Sequence, residues 1–246
     1  MQDHASEKDF LAAYNIHDYE VPLTSVDMAI FKLREQQLEV LLVKRSQHPA
    51  KDTWALPGGF IDLKKDNVLE DTAHRKLVEK TGVKSPYLEQ VATFGGKQRD
   101  PRGWSVTVVY FALVAHEEID VDPKGAKEET RWVPVSEALS DYKLAFDHNE
   151  ILRLCRERLT SKVQYTALPI HLLPEEFTLT ELQKVFEVIL GNEVEKKSFR
   201  RRILDADILE ESGAMRTGSN RPAKLYRLKR GVENHFFPRT IEGPRS

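Results

Sequence analysis

The chain has 246 residues, 40% hydrophobic and 31% charged, with a formal net charge of −2. That is enough for one large domain or two modest ones, each burying its own core, and the composition lies outside the disordered and membrane classes. One cysteine, Cys155, excludes an intrachain disulfide and a cysteine-based zinc site; no apolar run reaches the roughly 20 residues that cross a bilayer, and MQDHASEKDF lacks the pattern of a signal peptide, so the cytoplasm is the expected compartment.

In chain order, residues 1–20 read as a polar lead-in with little pattern. VDMAIFKL (26–33) and LEVLLVKR (38–45) are β-rich apolar runs joined by the polar REQQ, which predicts a hairpin. A helix is predicted from about Val68 to Thr81, with Gly82 as its C-cap. YLEQVATF (87–94) and SVTVVYFALVA (105–115) read as strands, TRWVPVSEAL (130–139) as a strand entering a helix, and HNEILRLCRERL (148–159) as an amphipathic helix. Leu168-Pro169 and Leu173-Pro174 then mark a boundary, so residues 21–165 and 166–246 are read as two domains.

The second domain has a different character. FTLTELQKVFEVILG places Leu182, Val185, Phe186 and Ile189 at i, i+3, i+4, i+7 and stops at Gly191. VEKKSFRRRILDADILEE reads as a second helix with a break near Ala206, and AMRTGSNRPAKLYRLKR as two short strands around Gly218-Ser219-Asn220. Helix, turn, helix and hairpin is the outline of a winged helix-turn-helix. Charge follows the division: residues 1–165 hold 23 basic against 27 acidic residues, and residues 166–246 hold 14 against 12. Within 196–230, 11 basic residues face 4 acidic ones. On charge alone this block fits phosphate recognition and an ordinary solvated surface equally.

ALPGGFID followed by RKLVEKTGV resembles the Nudix hydrolase family, whose signature is G-x5-E-x7-R-E-U-x-E-E-x-G-U, with U aliphatic. Gly59, Arg75, Leu77, Glu79, Gly82 and Val83 match, and Trp54, Pro57 and Gly58 fit the lead-in. Two extra residues fall within IDLKKDN, which puts Asn67 at the first signature glutamate and Lys76 and Lys80 at two of the later ones. Positions 76, 79 and 80 share one helix face. In the family that face gathers carboxylates around Mg²⁺, a hard cation that takes oxygen ligands, neutralises the diphosphate and activates water. Here the trio carries +1 in place of −3. Metal-dependent hydrolysis is therefore not expected, no metal ligand or catalytic residue is assigned, and no cofactor is required. A weaker enzyme would have to use displaced acids such as Asp62, Asp66, Glu70 or Asp71.

GGKQRDPRGWSVTVVYFALV (95–114) is similar to a segment of Nudix proteins that handle ADP-ribose. The resemblance implies that Arg99 and Arg102 present forks to phosphate oxygens. Trp104 and Trp54 would stack on adenine or cover the ribose, and Asp100 would accept from ribose hydroxyls. LAFDHNEIL (144–152) also resembles a stretch of this group, with Asp147 and His148 capping a helix near the pocket. Arg45, Gly58 and Gly59 complete the expected ligand-binding set.

In the basic helix Phe199 and Ile203 point to a small core, while Lys197, Arg200, Arg201 and Leu204 share another face. That suits a recognition helix in the major groove, with Lys196 and Ser198 in its first turn near phosphate. Arg202 lies nearer the buried side. Thr178 and Thr180 open the preceding helix, where hydroxyls and free N–H groups favour phosphate. Arg221, Lys224 and Arg227 of the hairpin are placed for backbone or minor-groove contacts.

LLPEEFTLTELQKVFEVILGNEVEKKSFRRRIL and NRPAKLYRL together resemble the Nudix-related transcriptional regulators, NrtR, over essentially the whole chain after residue 20. The resemblance implies an α+β chain: a Nudix fold, a mixed β-sheet between helices, followed by a winged helix-turn-helix. It also implies a homodimeric repressor of NAD-related metabolic genes that binds double-stranded operator DNA, with ADP-ribose or a related nucleotide as effector and no membrane partner. The competing expectation is a hydrolase of ADP-ribose or another nucleoside diphosphate derivative, its tail serving dimerisation or RNA contact.

Overall fold

The computed structural model of the chain describes residues 6–83, 87–115, 128–217, 222–232, 235–238 and 241. The lead-in is not patternless: a short helix, α1 (Glu7–Ala13), begins at Ser6, whose hydroxyl accepts the Asp9 N–H. None of its residues is buried. Apolar periodicity therefore gives no sign of it; the signal is the capping residue alone.

Strands β1 (Leu23–Arg34) and β2 (Gln37–Lys44) form the expected hairpin. Its turn places Glu35 and Gln36 at φ 48° and 61°, both left-handed, which matches the twist of the flanking strands. Short strands β3 (Trp54–Ala55) and β4 (Gly58–Phe60) pair with β2 and β1. Helix α2 (Leu69–Thr81) follows; the Asp71 carboxylate accepts the N–H groups of Asn67 and Val68 ahead of it. Gly82 ends it at φ 72°, donating to the Val78 carbonyl.

Strands β5 (Tyr87–Gly96), β6 (Ser105–Leu113) and β7 (Thr130–Pro134) complete a seven-stranded sheet with path β3-β2-β1-β6-β5, β4 beside β1 and β7 beside β2. The β1–β6 pairing is parallel and the other pairings are antiparallel, so the sheet is mixed. Period-two alternation splits its side chains between two layers. Val26, Met28 and Ile30 pack with Ala73 and Leu77 of α2. Ala29 and Phe31 face the other way, onto Ile151, Leu152, Cys155 and Leu159 of a long helix, α4 (His148–Val163). Between them in sequence lies α3 (Val135–Ser140).

A 3₁₀ turn, Leu168–Leu172, leads into the C-terminal elements α5 (Leu179–Leu190), α6 (Lys196–Asp205), β8 (Leu209–Arg216) and β9 (Ala223–Leu228). Thr178 and Glu181 form a reciprocal capping box at α5, and Gly191 closes it in the left-handed region. The second helix is shorter than its sequence suggests. It ends at Asp205, Asp207 turns left-handed at φ 54°, and Leu209-Glu210-Glu211 begin β8 instead of a last helical turn. Phe177 pairs with Tyr226 and adds a one-residue bridge to the β8–β9 hairpin. Phe186 and Phe199 meet edge to face at 5.1 Å, joining α5 to α6.

The halves are not separated by an open linker. Phe237 donates to the Tyr165 carbonyl, Ala167 to that of His235 and Ile241 to that of Gln164, so the C-terminal segment returns to the end of α4. Leu168, Ile170 and Phe177 belong to the same apolar cluster as Phe111, Leu159 and Ile203. Among the described residues, no helix is long and apolar enough to cross a membrane.

Candidate functional site

A cavity of about 700 Å³ opens between the sheet and α2. Asp27 of β1, Arg45 after β2, and the Gly58-Gly59-Phe60 strand form part of its wall, with Lys76, Glu79 and Lys80 from α2. The loop between β5 and β6 contributes Arg99, Asp100 and Arg102, and the approach to α4 contributes Phe146 and His148. Eight of the ten expected ligand residues are thereby brought to one place or beside it.

Several hold roles other than those expected. Arg99 does not offer a free fork: its Nε and Nη2 each donate at 2.9 Å to the Asp147 carboxylate, and Nη2 lies 3.5 Å from Asp27. Burial works against the Arg99 charge, and the two carboxylates outweigh it, holding the guanidinium above its ordinary pKa. Asp147 occupies the N-cap position of α4 but makes no side-chain cap; Arg99 takes its oxygens. Asp100 is likewise engaged, accepting from Arg102 Nε at 3.0 Å and Nη2 at 2.6 Å. The Arg102 hydrogen bonds hold its carboxyl below the usual range.

His148 is buried, and burial pushes its pKa down. Its Nδ1 accepts the Leu56 N–H at 2.9 Å, so the neutral ring pins the strand entering the cavity. Asp27 stands 3.8 Å from Nε2, too far for a hydrogen bond. The histidine is thus part of the wall and of the scaffold, not a cap.

Neither tryptophan lines the cavity. Alternation along β3 turns Trp54 away from Ala55, and its ring meets Tyr142 and the Arg131 guanidinium. Trp104 is half exposed over Gly95. The aromatic surfaces are Phe60 and Phe146, which sequence reasoning misses; the Arg102 guanidinium lies over Phe60 and Arg45 over Phe146. Their signal is position: one sits in GGFID and the other in LAFDHNEIL, both stretches that carry the family resemblance.

The two glycines have unequal roles. A Cβ on Gly58 would stand 2.2 Å from Asp27 Oδ1 and 2.5 Å from the Val26 carbonyl. On Gly59 it would meet the Lys76 stem at 2.7 Å from Cε.

The metal face of the helix carries lysines bound to acids. Lys76 donates to Glu79 at 2.9 Å and Lys80 to Glu128 at 2.6 Å. Among the described residues no three His, Cys, Asp or Glu side chains gather as a metal site. The displaced acids do not rescue it, since none of them lines the cavity. Asp66 is tied to Arg75 and Thr72, Asp62 to Lys65, Asp71 to the start of α2, and Glu70 to the Tyr110 hydroxyl. Asn67 is exposed outside the cavity. The residues present do not fit a divalent ion.

On the C-terminal elements, Lys196, Lys197, Ser198, Arg201 and Leu204 form the exposed face of α6. The Glu195 carboxylate accepts the N–H groups of Lys197 and Ser198, so that helix N-terminus is already occupied. Arg200 is partly buried and donates to Thr180 Oγ1, which ties α6 to α5. Arg202 lies over Phe237. Thr178 corrects an expectation: it is buried, and its hydroxyl accepts the Glu181 N–H, leaving it no access to a phosphate. Lys224 and Arg227 are exposed but paired across the hairpin with Glu211 and Glu210, which cancels their charge locally. Arg221 and the predicted turn Gly218-Ser219-Asn220 lie outside the described residues.

A mixed sheet carrying a glycine turn and an arginine-bearing helix, followed by two helices and a hairpin, defines a Nudix domain joined to a winged helix. The Nudix domain family matches residues 23–155, and the NrtR DNA-binding winged helix domain matches residues 169–228. The chain belongs to the NrtR family of Nudix-related regulators. It is 50% identical, over 98% of its length and 96% of the relative's, to the ADPR responsive transcriptional repressor NtrR of Acinetobacter baylyi. It is similar to the crystal structure of Shewanella oneidensis NrtR complexed with a 27mer DNA (TM-score 0.84, 46% identity, 89% of this chain and 100% of that one). It also resembles the NUDIX domain of the same protein complexed with ADP ribose (TM-score 0.58, 44% identity, 63% of this chain and 99% of that one).

Proposed function

We propose that the chain is an ADP-ribose-responsive transcriptional repressor of NAD-related genes, acting as a homodimer on duplex operator DNA, whose Nudix domain binds the nucleotide without hydrolysing it. The observation that carries this reading is that one chain joins a cationic α6 face to a cavity whose signature carboxylates are Lys76 and Lys80. Exposed Lys196, Lys197 and Arg201 supply the charge for phosphate and the fork for a base edge. The cavity supplies cations for a diphosphate and phenyl faces for a base or sugar. The names of the relatives support both halves of the reading.

Hydrolysis would need a metal to activate water, and the helix face that would carry it is cationic. A sensor that destroyed its effector would also erase its own signal. For the nucleotide to act on DNA binding, it must favour the arrangement of the winged helices that fits the operator less well; affinity alone shifts nothing. The test is titration of ADP-ribose into an operator complex at fixed salt, followed by fluorescence anisotropy. Release of operator at nucleotide concentrations that leave random-sequence binding unchanged is expected. An equal hold on operator and random DNA overturns the repressor reading, and turnover of ADP-ribose to AMP overturns the non-catalytic one.

A further inference from the structure

We propose that Lys76 and Lys80, with Arg45, form a diphosphate seat that works without a divalent cation: fixed side-chain charges do the neutralising that the signature assigns to metal. The inference rests on the nucleotide-pocket reading and names the groups that hold the ligand there.

Position comes first. Both lysines reach the cavity from the helix face where the signature calls for metal carboxylates. The Lys76 stem runs against Gly59, in space that any side chain at 59 would fill, so glycine and lysine fit as a pair. Each ammonium donates to one carboxylate, Glu79 or Glu128. An ammonium has three N–H donors. The acids therefore steer both groups while leaving donors for phosphate oxygens, and no ion pair has to break for a ligand to enter.

Charge comes second. Lys76, Lys80, Arg99 and Arg102 each pair with an acid. Arg45 makes no ion pair among the described residues; its Nε donates to the Pro49 carbonyl at 2.9 Å and its face covers Phe146. Burial and the neighbouring Arg102 both work against its charge, so the empty cavity is short of an anion at that point. Glu128, the partner of Lys80, also acts electrostatically on Arg45, which places the unpaired guanidinium and this ammonium in one neighbourhood. A diphosphate brings two negative charges to that neighbourhood. Ammonium groups bind them as point charges and, unlike a metal ion, create no hydroxide nucleophile.

Calorimetric titration of the full chain with ADP-ribose, once in EDTA and once in millimolar Mg²⁺, tests the seat without any variant. The same dissociation constant within about twofold is expected, and K76Q/K80Q, checked for an unchanged melting profile, should weaken binding about tenfold or more in both buffers. Binding by the unaltered chain that vanishes in EDTA overturns the seat while leaving ADP-ribose as effector. Wild-type affinity in folded K76Q/K80Q also overturns it. No binding in either buffer overturns both the seat and the effector reading.

Discussion

Arg99 and Asp147 meet side-on, with Nε and Nη2 each 2.9 Å from a different carboxylate oxygen, so the loop ahead of β6 is clamped to the first turn of α4. Both side chains are largely buried. Arg99→Ala would leave Asp147 and Asp27 without their cation, and a loss of about 3 kcal/mol in urea unfolding is expected. Asp147→Ala alone should also destabilise, and the double variant should lose clearly less than the sum. Additive single losses would show that the pair does not act as a clamp.

His148 gives stability a pH dependence of definite sign. Burial lowers its folded pKa, so a proton binds the unfolded chain more readily. Its contribution is complete above the unfolded value near 6.5 and declines as pH falls below it. His148→Phe removes that decline and strands the Leu56 N–H, at a cost of about 1–3 kcal/mol at pH 8. Melting curves between pH 8 and about 5 check both effects; a variant that keeps the full pH slope would assign it to other groups.

Gly58 and Gly59 should respond differently to alanine. At 58 the new methyl meets a backbone carbonyl and the Asp27 carboxylate, so β4 must move off β1. A loss of about 3 kcal/mol or more is expected, at the severe end of overpacking. At 59 the obstacle is the far part of a lysine, which swings aside. Gly59→Ala should therefore cost under about 1 kcal/mol, while disturbing ligand binding through Lys76. Thermal denaturation beside nucleotide titration separates the two; equal losses of stability would contradict this account.

The cations of the winged helix should also divide. Arg201 is exposed on α6 and makes no ion pair among the described residues, whereas Arg227 is bonded to Glu210. Arg201→Ala is expected to cost about 1–3 kcal/mol on operator DNA and to relax preference at one position if it reads a base. Arg227→Ala should cost far less. Anisotropy titrations at two salt concentrations measure both, and a larger effect at Arg227 would shift the contact surface from the helix to the hairpin.

Features with a local cause are legible in the amino-acid sequence. The alternation in VDMAIFKL, Gly82 and Gly191 after periodic stretches, and the lysines at 76 and 80 each follow from neighbours along the chain. What escapes depends on distant partners. Nothing near Arg99 announces that Asp147 will occupy its fork, and nothing near Thr178 shows that its hydroxyl will be spent on a cap and buried. The tryptophans draw attention by size, yet strand alternation turns Trp54 away and the smaller Phe60 and Phe146 take the cavity wall. The end of α6 departs from its sequence pattern because apolar Ile208 and Leu209 continue a helical spacing that the left-handed Asp207 breaks.

The return of Phe237 and Ile241 to the end of α4 has a consequence for engineering. A winged helix cut at residue 166 and grafted onto another sensor would leave its closing segment without a landing place, and the donor half would lose a lid over Val163 and Leu168. A working chimera needs its crossover upstream, inside α4, with the final residues carried along. Tags belong at the other end of the chain, where α1 buries nothing.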